Sequence, residues 1–157
     1  MTSSTGGTAG WAPLPPALDE LAAAILVDCA ALRSPDRARA AITSARDDPD
    51  AEVYGWAEAS ELVAVYGLRK NGLSFELLWL AVAPPWRNQR YGRSALVDSL
   101  RRCGRKPMTV EVDNDVKGWF ERVGFKTVGR KAGPDGFRYR LGWYAPRRPD
   151  EAGYGAH

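Results

Sequence analysis

Six consecutive apolar residues, Leu77-Leu78-Trp79-Leu80-Ala81-Val82, close the stretch from Ser74 to Val82, and Pro84-Pro85 stops it. A run this short and apolar, with no polar alternation, reads as a strand inside a sheet that is covered on both faces. Nothing in the chain reaches the roughly 18 apolar residues that a membrane-spanning helix needs.

The flanking patterns supply the covering layers. Leu18, Leu21, Ala22, Ile25, Cys29 and Leu32 recur at helical steps, so a helix is expected over 17–32. A second helix is expected from Pro35, with Ser34 as its N-cap, ending before Asp47-Asp48-Pro49. Residues 53–58 and 62–69 read as a hairpin, and Lys70-Asn71-Gly72 turns the chain into 74–82. From Tyr91 the period becomes helical, with Leu96, Val97, Leu100 and Cys103 on one face and Gly104 placed to end the helix. Strand 108–112, helix 115–123, a strand from Phe125, the turn Gly133-Pro134-Asp135-Gly136 and a last strand 137–144 follow. No first strand is legible before the N-terminal helices. Strands alternating with single helices imply an α/β sheet of mixed direction. The 157 residues suit a single domain, expected over 17–146. A flexible leader is expected over 1–16, without the layout of a signal peptide, and a flexible tail over 147–157.

Composition removes several chemistries. The single histidine is His157, the last residue, which argues against Ser-His-Asp and Cys-His catalysis and against a metal site. Cys29 and Cys103 have no metal-type spacing and read as buried free thiols in a reducing cytoplasm. Residues 1–68 hold four arginines against ten acidic residues, whereas 69–157 hold the other eighteen lysines and arginines against nine acids. A basic C-terminal half suits a polyanionic partner, either a phosphorylated cofactor or nucleic acid.

The basic charge concentrates where the apolar strand runs into the helix, at Arg87-Asn88-Gln89-Arg90-Tyr91-Gly92-Arg93-Ser94. A helix start has unpaired N–H groups and partial positive charge, and Gly92 permits close approach of a ligand to the backbone, so a pyrophosphate suits this loop. A capped surface helix with solvated arginines is the plainer reading. Nucleic acid is a third, extended by Arg101, Arg102, Arg105 and Lys106, but interleaved exposed aromatics are few and Asp98 opposes it.

The longer pattern resembles a known family. Leu80-Ala-Val-Ala-Pro-Pro-Trp-Arg87-Asn-Gln-Arg-Tyr-Gly92-Arg-Ser-Ala-Leu96 is similar to the acyl-CoA signature of GNAT N-acetyltransferases. Val110-Glu-Val-Asp-Asn114 and then Trp119-Phe120-Glu121-Arg122-Val123-Gly124-Phe125 resemble that family's next strand and helix. The resemblance covers about 53–144. It implies a GNAT-like fold: a mixed, mostly antiparallel central sheet, helices on both faces, and fourth and fifth strands that splay apart. It also implies an acyltransferase that passes an acetyl group from acetyl-CoA, or another acyl group from its CoA thioester, to an amine of a small molecule or protein, by direct attack in a ternary complex.

Carried over by position, the backbone of Leu80, Ala81 and Val82 would meet the pantetheine arm, and an N–H near Leu80 would polarise the thioester carbonyl. Arg87, Asn88, Gln89, Arg90, Tyr91 and Gly92 would cradle the pyrophosphate, with Arg93 and Ser94 at the first helical turn. Asn114 and Phe120 would flank the arm from the other side. Glu76 matches the glutamate that serves as base in some members, with Glu111 and Glu58 as alternatives and an exposed strand glutamate as the bland reading. Two departures stand out. Arg90 replaces the loop's first glycine, and Phe120 replaces a tyrosine that commonly protonates the leaving thiolate, a role open to Tyr91 or water. These leave a second reading, a GNAT-fold protein that binds acyl-CoA without efficient transfer. Acidic N-terminal helices and turns lean toward a cationic acceptor, and the Trp and Tyr content leaves a homodimer contact open.

Overall fold

The computed structural model describes residues 10–28, 32–58, 60–133 and 136–145. Most of the expected leader, Cys29, Pro134-Asp135, the tail from Arg147 and His157 lie outside the described residues. The strands are β1 (Trp11–Pro13), β2 (Ala51–Glu58), β3 (Glu61–Asn71), β4 (Ser74–Val82), β5 (Met108–Val112), β6 (Lys126–Gly133) and β7 (Gly136–Trp143). The helices are α1 (Asp19–Leu26), α2 (Pro35–Asp47), α3 (Tyr91–Cys103) and α4 (Asn114–Arg122), with 3-10 turns at Pro16–Leu18 and Pro84–Trp86. The seven strands form one sheet in the order β1-β2-β3-β4-β5-β7-β6, antiparallel except where β4 meets β5.

β1 corrects the sequence reading, because it lies in the stretch assigned to a leader and pairs with β2 from Trp11↔Trp56 to Pro13↔Tyr54. Three residues carry no periodicity, and a proline is tolerated there only because the strand is an edge. Side chains hold it instead. The Trp11 ring packs edge-on against Trp56, and its Nε1 donates to Ser94 Oγ at 2.9 Å. α1 also differs from expectation, ending at Leu26. α2 behaves as its caps predict, with Ser34 Oγ accepting from the Arg37 amide at 3.1 Å.

Two apolar cores lie on opposite faces of the sheet. α1 and α2 pack over β2, β3 and β4 around Ile25, Leu26, Ile42 and Val53. On the other face, α3 covers β3 and β4, and α4 covers β5, β6 and β7, around Leu77, Leu96, Val110, Phe120 and Leu141. The second core contains a polar cluster. Tyr66 Oη donates to Asp98 Oδ2 at 2.5 Å, and Arg102 Nε donates to the same oxygen at 2.8 Å while its guanidinium lies 3.9 Å from the Tyr54 ring centre. Burial, and then the bond to Asp98, pushes the Tyr66 hydroxyl far up, so it stays a donor. Cys103 is buried in this core, which pushes its thiol up to about 12.

β4 is covered on both faces as its composition requires, yet only Leu77 on it is fully buried. The most enclosed strand is β3, buried from Leu62 to Leu68. β4 is less enclosed because β5 leaves it. The β4–β5 ladder comprises Phe75↔Met108, Glu76↔Thr109 and Leu77↔Val110, and beyond Leu77 the two strands part. At the same point β4 bulges against β3, since Leu68 opposes Leu77 but Gly67 opposes Trp79. The extra residue resets the alternation. Leu77 and Leu80 pack on the α3 face, while Leu78, Trp79 and Ala81 pack on the α1 face. Gly67 makes room for this, because a Cβ there would lie 2.8 Å from the Trp79 ring.

Candidate active site

The fork between β4 and β5 and the loop that leads from β4 into α3 define one site. After Val82 the chain makes its 3-10 turn and then places two non-glycine residues in the left-handed region, Asn88 at φ 64° and Arg90 at φ 69°. Arg90 is the N-cap of α3, and no side chain caps that helix. The first helical bond runs from the Ser94 amide to the Arg90 carbonyl at 2.9 Å, which leaves the amides of Tyr91, Gly92 and Arg93 as the open first turn. Arg90 and Arg93 are exposed beside that turn and pair with no carboxylate among the described residues. Uncapped amides with two unpaired guanidinium groups are chemically suited to a phosphorylated ligand.

Left-handed geometry at a residue with a Cβ costs about 1 kcal/mol. Arg90→Gly should therefore raise the melting temperature by roughly 3 °C, measured without ligand by calorimetry. An unchanged or lower value would show that the Arg90 side chain stabilises the loop by more than its backbone strains it.

The other loop residues divide between the site and its supports. Arg87 points away, donating from Nε to the Val82 carbonyl at 3.0 Å and pairing with Asp28 at 2.7 Å, so it ties the end of β4 to the turn after α1. Gln89 Nε2 reaches the Pro85 carbonyl at 3.4 Å, and the Ser94 hydroxyl is turned toward β1 by Trp11. Tyr91 donates to Glu58 Oε2 at 3.0 Å; burial, and then this bond, pushes its hydroxyl up. Glu58 ends β2, two strands and so roughly 10 Å from β4. Tyr91 and Glu58 are thus brought to each other and not to the fork.

Gly92 is brought to the fork. A Cβ on it would meet Trp119 Cζ2 at 3.8 Å, Val82 Cγ2 at 3.9 Å and Leu80 Cδ2 at 4.0 Å. The loop, the upper half of β4 and α4 therefore converge on one small region. Trp119 is the α4 side chain that reaches it, and sequence reasoning passed over it for its neighbour. Phe120 is instead buried in the second core, 5.2 Å from Phe125 and 4.8 Å from Trp119 between ring centres. Both rings pack against the second core, Phe120 buried within it and Trp119 half-buried at its edge, so helical phase alone does not tell them apart. Asn114 is exposed at the first residue of α4, on the other lip of the fork, below the N-cap that Asp113 forms with the amides of Asp115 and Val116.

The candidate bases differ in placement. Glu76 sits on the middle rung of the β4–β5 ladder, just below the parting, between Arg69 on β3 and Thr109 on β5. Its neighbours Phe75 and Leu77 face the second core, so Glu76 faces the α1 side. Glu111 follows Val110, the last residue of β5 that pairs with β4, and borders the fork on that same side, with its Oε1 3.7 Å from Lys131 Nζ. Among the described residues no three His, Cys, Asp or Glu side chains converge as a metal site, and no helix is long and apolar enough to cross a membrane.

A family model described as an acetyltransferase (GNAT) domain matches residues 28–140. Among solved structures, a GNAT-family protein from Desulfovibrio desulfuricans aligns with a TM-score of 0.73 at 15% identity, covering 87% of this chain and 99% of that one. An aminoglycoside 6'-N-acetyltransferase complexed with coenzyme A aligns at 0.71 and 15% identity, covering 90% and 99%. The ribosomal-protein-S18-alanine N-acetyltransferase from Escherichia coli aligns at 0.69 and 15%, covering 91% and 98%. No curated protein matches the chain by sequence.

Proposed function

Because this chain belongs to the GNAT acetyltransferase family, we propose that it transfers an acetyl group from acetyl-CoA, or another acyl group from its CoA thioester, to an amine. The observation that carries the reading is the coincidence of the parted strands with an uncapped, arginine-flanked helix start, met at Gly92. The residues present fit the group: the amides of Tyr91 to Arg93 and the guanidinium groups of Arg90 and Arg93 suit a pyrophosphate, and the gap above Leu77 suits a narrow arm. Bound acetyl-CoA supplies an activated thioester whose sulfur is a good leaving group.

The chain's own residues do the rest. Leu80 to Val82 would align the arm along β4, with Trp119 and Asn114 closing it from the α4 side. Arg87 acts as a positioning residue, fixing the end of β4 to the turn after α1 and so setting the direction in which the loop leaves the strand. An amine near its usual pKa of about 10 must lose a proton before it attacks. Glu76 and Glu111 are the carboxylates on the side of the fork opposite the phosphate loop, and both are placed to draw in an ammonium and accept its proton directly or through water. Phe120 has no proton to give, and the Tyr91 hydroxyl is engaged with Glu58, so the thiolate takes its proton from solvent.

The test has two arms. Acetyl-CoA at millimolar concentration should raise the melting temperature, and a panel of amines should release free thiol from acetyl-CoA above the rate without amine. No thermal shift would sink the cofactor reading; a shift with no thiol from any amine would leave a binder and not a transferase.

A further inference from the structure

The second core and the phosphate loop occupy one face of the sheet, so an acceptor must reach the fork from the other. On that other face the apolar packing is built from residues no later than Trp86, and it lies over β2, β3 and β4. The corresponding face of β5 and β7 carries charge instead. Glu111 pairs in register with Arg140, Arg138 lies two residues along β7, and Lys131 on β6 pairs with Arg138. All four therefore share one face beside the upper fork.

Their bonding leaves positive charge over. Arg138 donates to the Glu111 carbonyl at 3.1 Å and so spends no charge on it. Lys131 shares the Glu111 carboxylate at 3.7 Å. Arg140 is exposed, and its side chain has neither a hydrogen bond nor an ion pair among the described residues, although Glu111 is its direct neighbour in the ladder. Three cations thus face one carboxylate at the mouth of the fork, while Glu76 sits on the same face at its base.

From this we infer that the acceptor is an amine that also carries an anionic group, a carboxylate or a phosphate, within a few bonds of the nitrogen. Resting on the acyl-transfer reading above, the assignment puts the anion on Arg140 and Arg138, whose planar donors suit either oxyanion in bidentate fashion. The ammonium then lies toward Glu76, away from the cationic cluster. A molecule with both charges also agrees with the acidic character of the N-terminal half, which attracts the amino end alone. In the transfer the amine nitrogen forms its bond to the acetyl carbon as the carbon–sulfur bond breaks. Sulfur takes the electron pair, and the nitrogen's proton leaves through a carboxylate or water, with a proton returning to the thiolate from solvent.

The experiment compares matched pairs of amines: amino acids against their primary amides, and O-phosphoethanolamine against ethanolamine. Thiol release should favour the anionic member by at least tenfold in kcat/KM, and the pair that responds tells carboxylate from phosphate. Arg140→Ala should raise KM for that member about tenfold, leave its uncharged partner unaffected, and leave the acetyl-CoA thermal shift as in the unaltered chain. A second readout does not depend on turnover: with the protein saturated by coenzyme A, the anionic amines should raise the melting temperature further, and Arg140→Ala should remove that increment. Equal rates within each pair, or an Arg140→Ala loss shared by both members, would overturn the inference while leaving acyl transfer standing. A total lack of thiol release together with a coenzyme A shift would count against acyl transfer alone, and the melting increments would then decide the anion site.

Discussion

Gly92→Phe should abolish the acetyl-CoA-induced rise in melting temperature while the unliganded chain still folds. Alanine at this position is in ordinary contact with Trp119, Val82 and Leu80 at 3.8 to 4.0 Å, so Gly92→Ala should bind within a few-fold of the parent. Everything beyond a Cβ must occupy the space where α3, α4 and the upper half of β4 meet, which is the space the proposed function assigns to the cofactor. Loss of at least 100-fold in affinity is expected, about 2.7 kcal/mol, read by titration calorimetry. Loss of glycine from a helix is itself favourable by roughly 0.5–1 kcal/mol, which offsets part of any crowding against Trp119. A full thermal shift in Gly92→Phe would mean that the cofactor does not pass between α3 and α4.

The largest effect on stability is expected at Asp98. Its carboxylate accepts from Tyr66 and Arg102 inside the second core, with the residue 6% exposed and Tyr66 fully buried. Asp98→Ala leaves a buried hydroxyl without its acceptor and a half-buried guanidinium without its counter-charge. A cost of about 3 kcal/mol follows, or roughly 10 °C in melting temperature for a chain of this size. Most of that cost is the unsatisfied hydroxyl, so Tyr66→Phe made in the Asp98→Ala background should recover part of it. Additive losses in the double variant would show that the two residues act independently.

Much of the architecture was legible because it is written in periodicity. The strand from Ser74 to Val82, the helix from Tyr91 to a left-handed Gly104, and the strand Met108–Val112 have the bounds their patterns imply. The first strand was not legible, since three residues that include a proline have no period and are held by Trp11 against Trp56 and Ser94. The uninterrupted apolar run of β4 pointed correctly to two covered faces, but it concealed the bulge that distributes those residues between them. In the site, the loop's position and charge were readable from spacing. The directions of Arg87, Ser94 and Tyr91 were not, because each is turned by a partner remote in sequence: Asp28, Trp11 and Glu58. Phe120, expected beside the arm, is buried in the second core, and Trp119, to which the sequence reading gave no role, is the ring that reaches Gly92.

The parted strands also bear on the entropy of association. A gap that a ligand must open charges its ordering and unzipping against the affinity. Here the parting above Leu77 exists in the folded chain: the bulge redirects β4, and a shared apolar core that includes Leu96 of α3 and Phe120 of α4 spans both arms below it. The separation of the arms was settled when the chain folded. On the proposed reading, the protein's share of the ordering cost is confined to a few surface arginines, and a ligand lodged in the fork has mainly its own loss of freedom to offset.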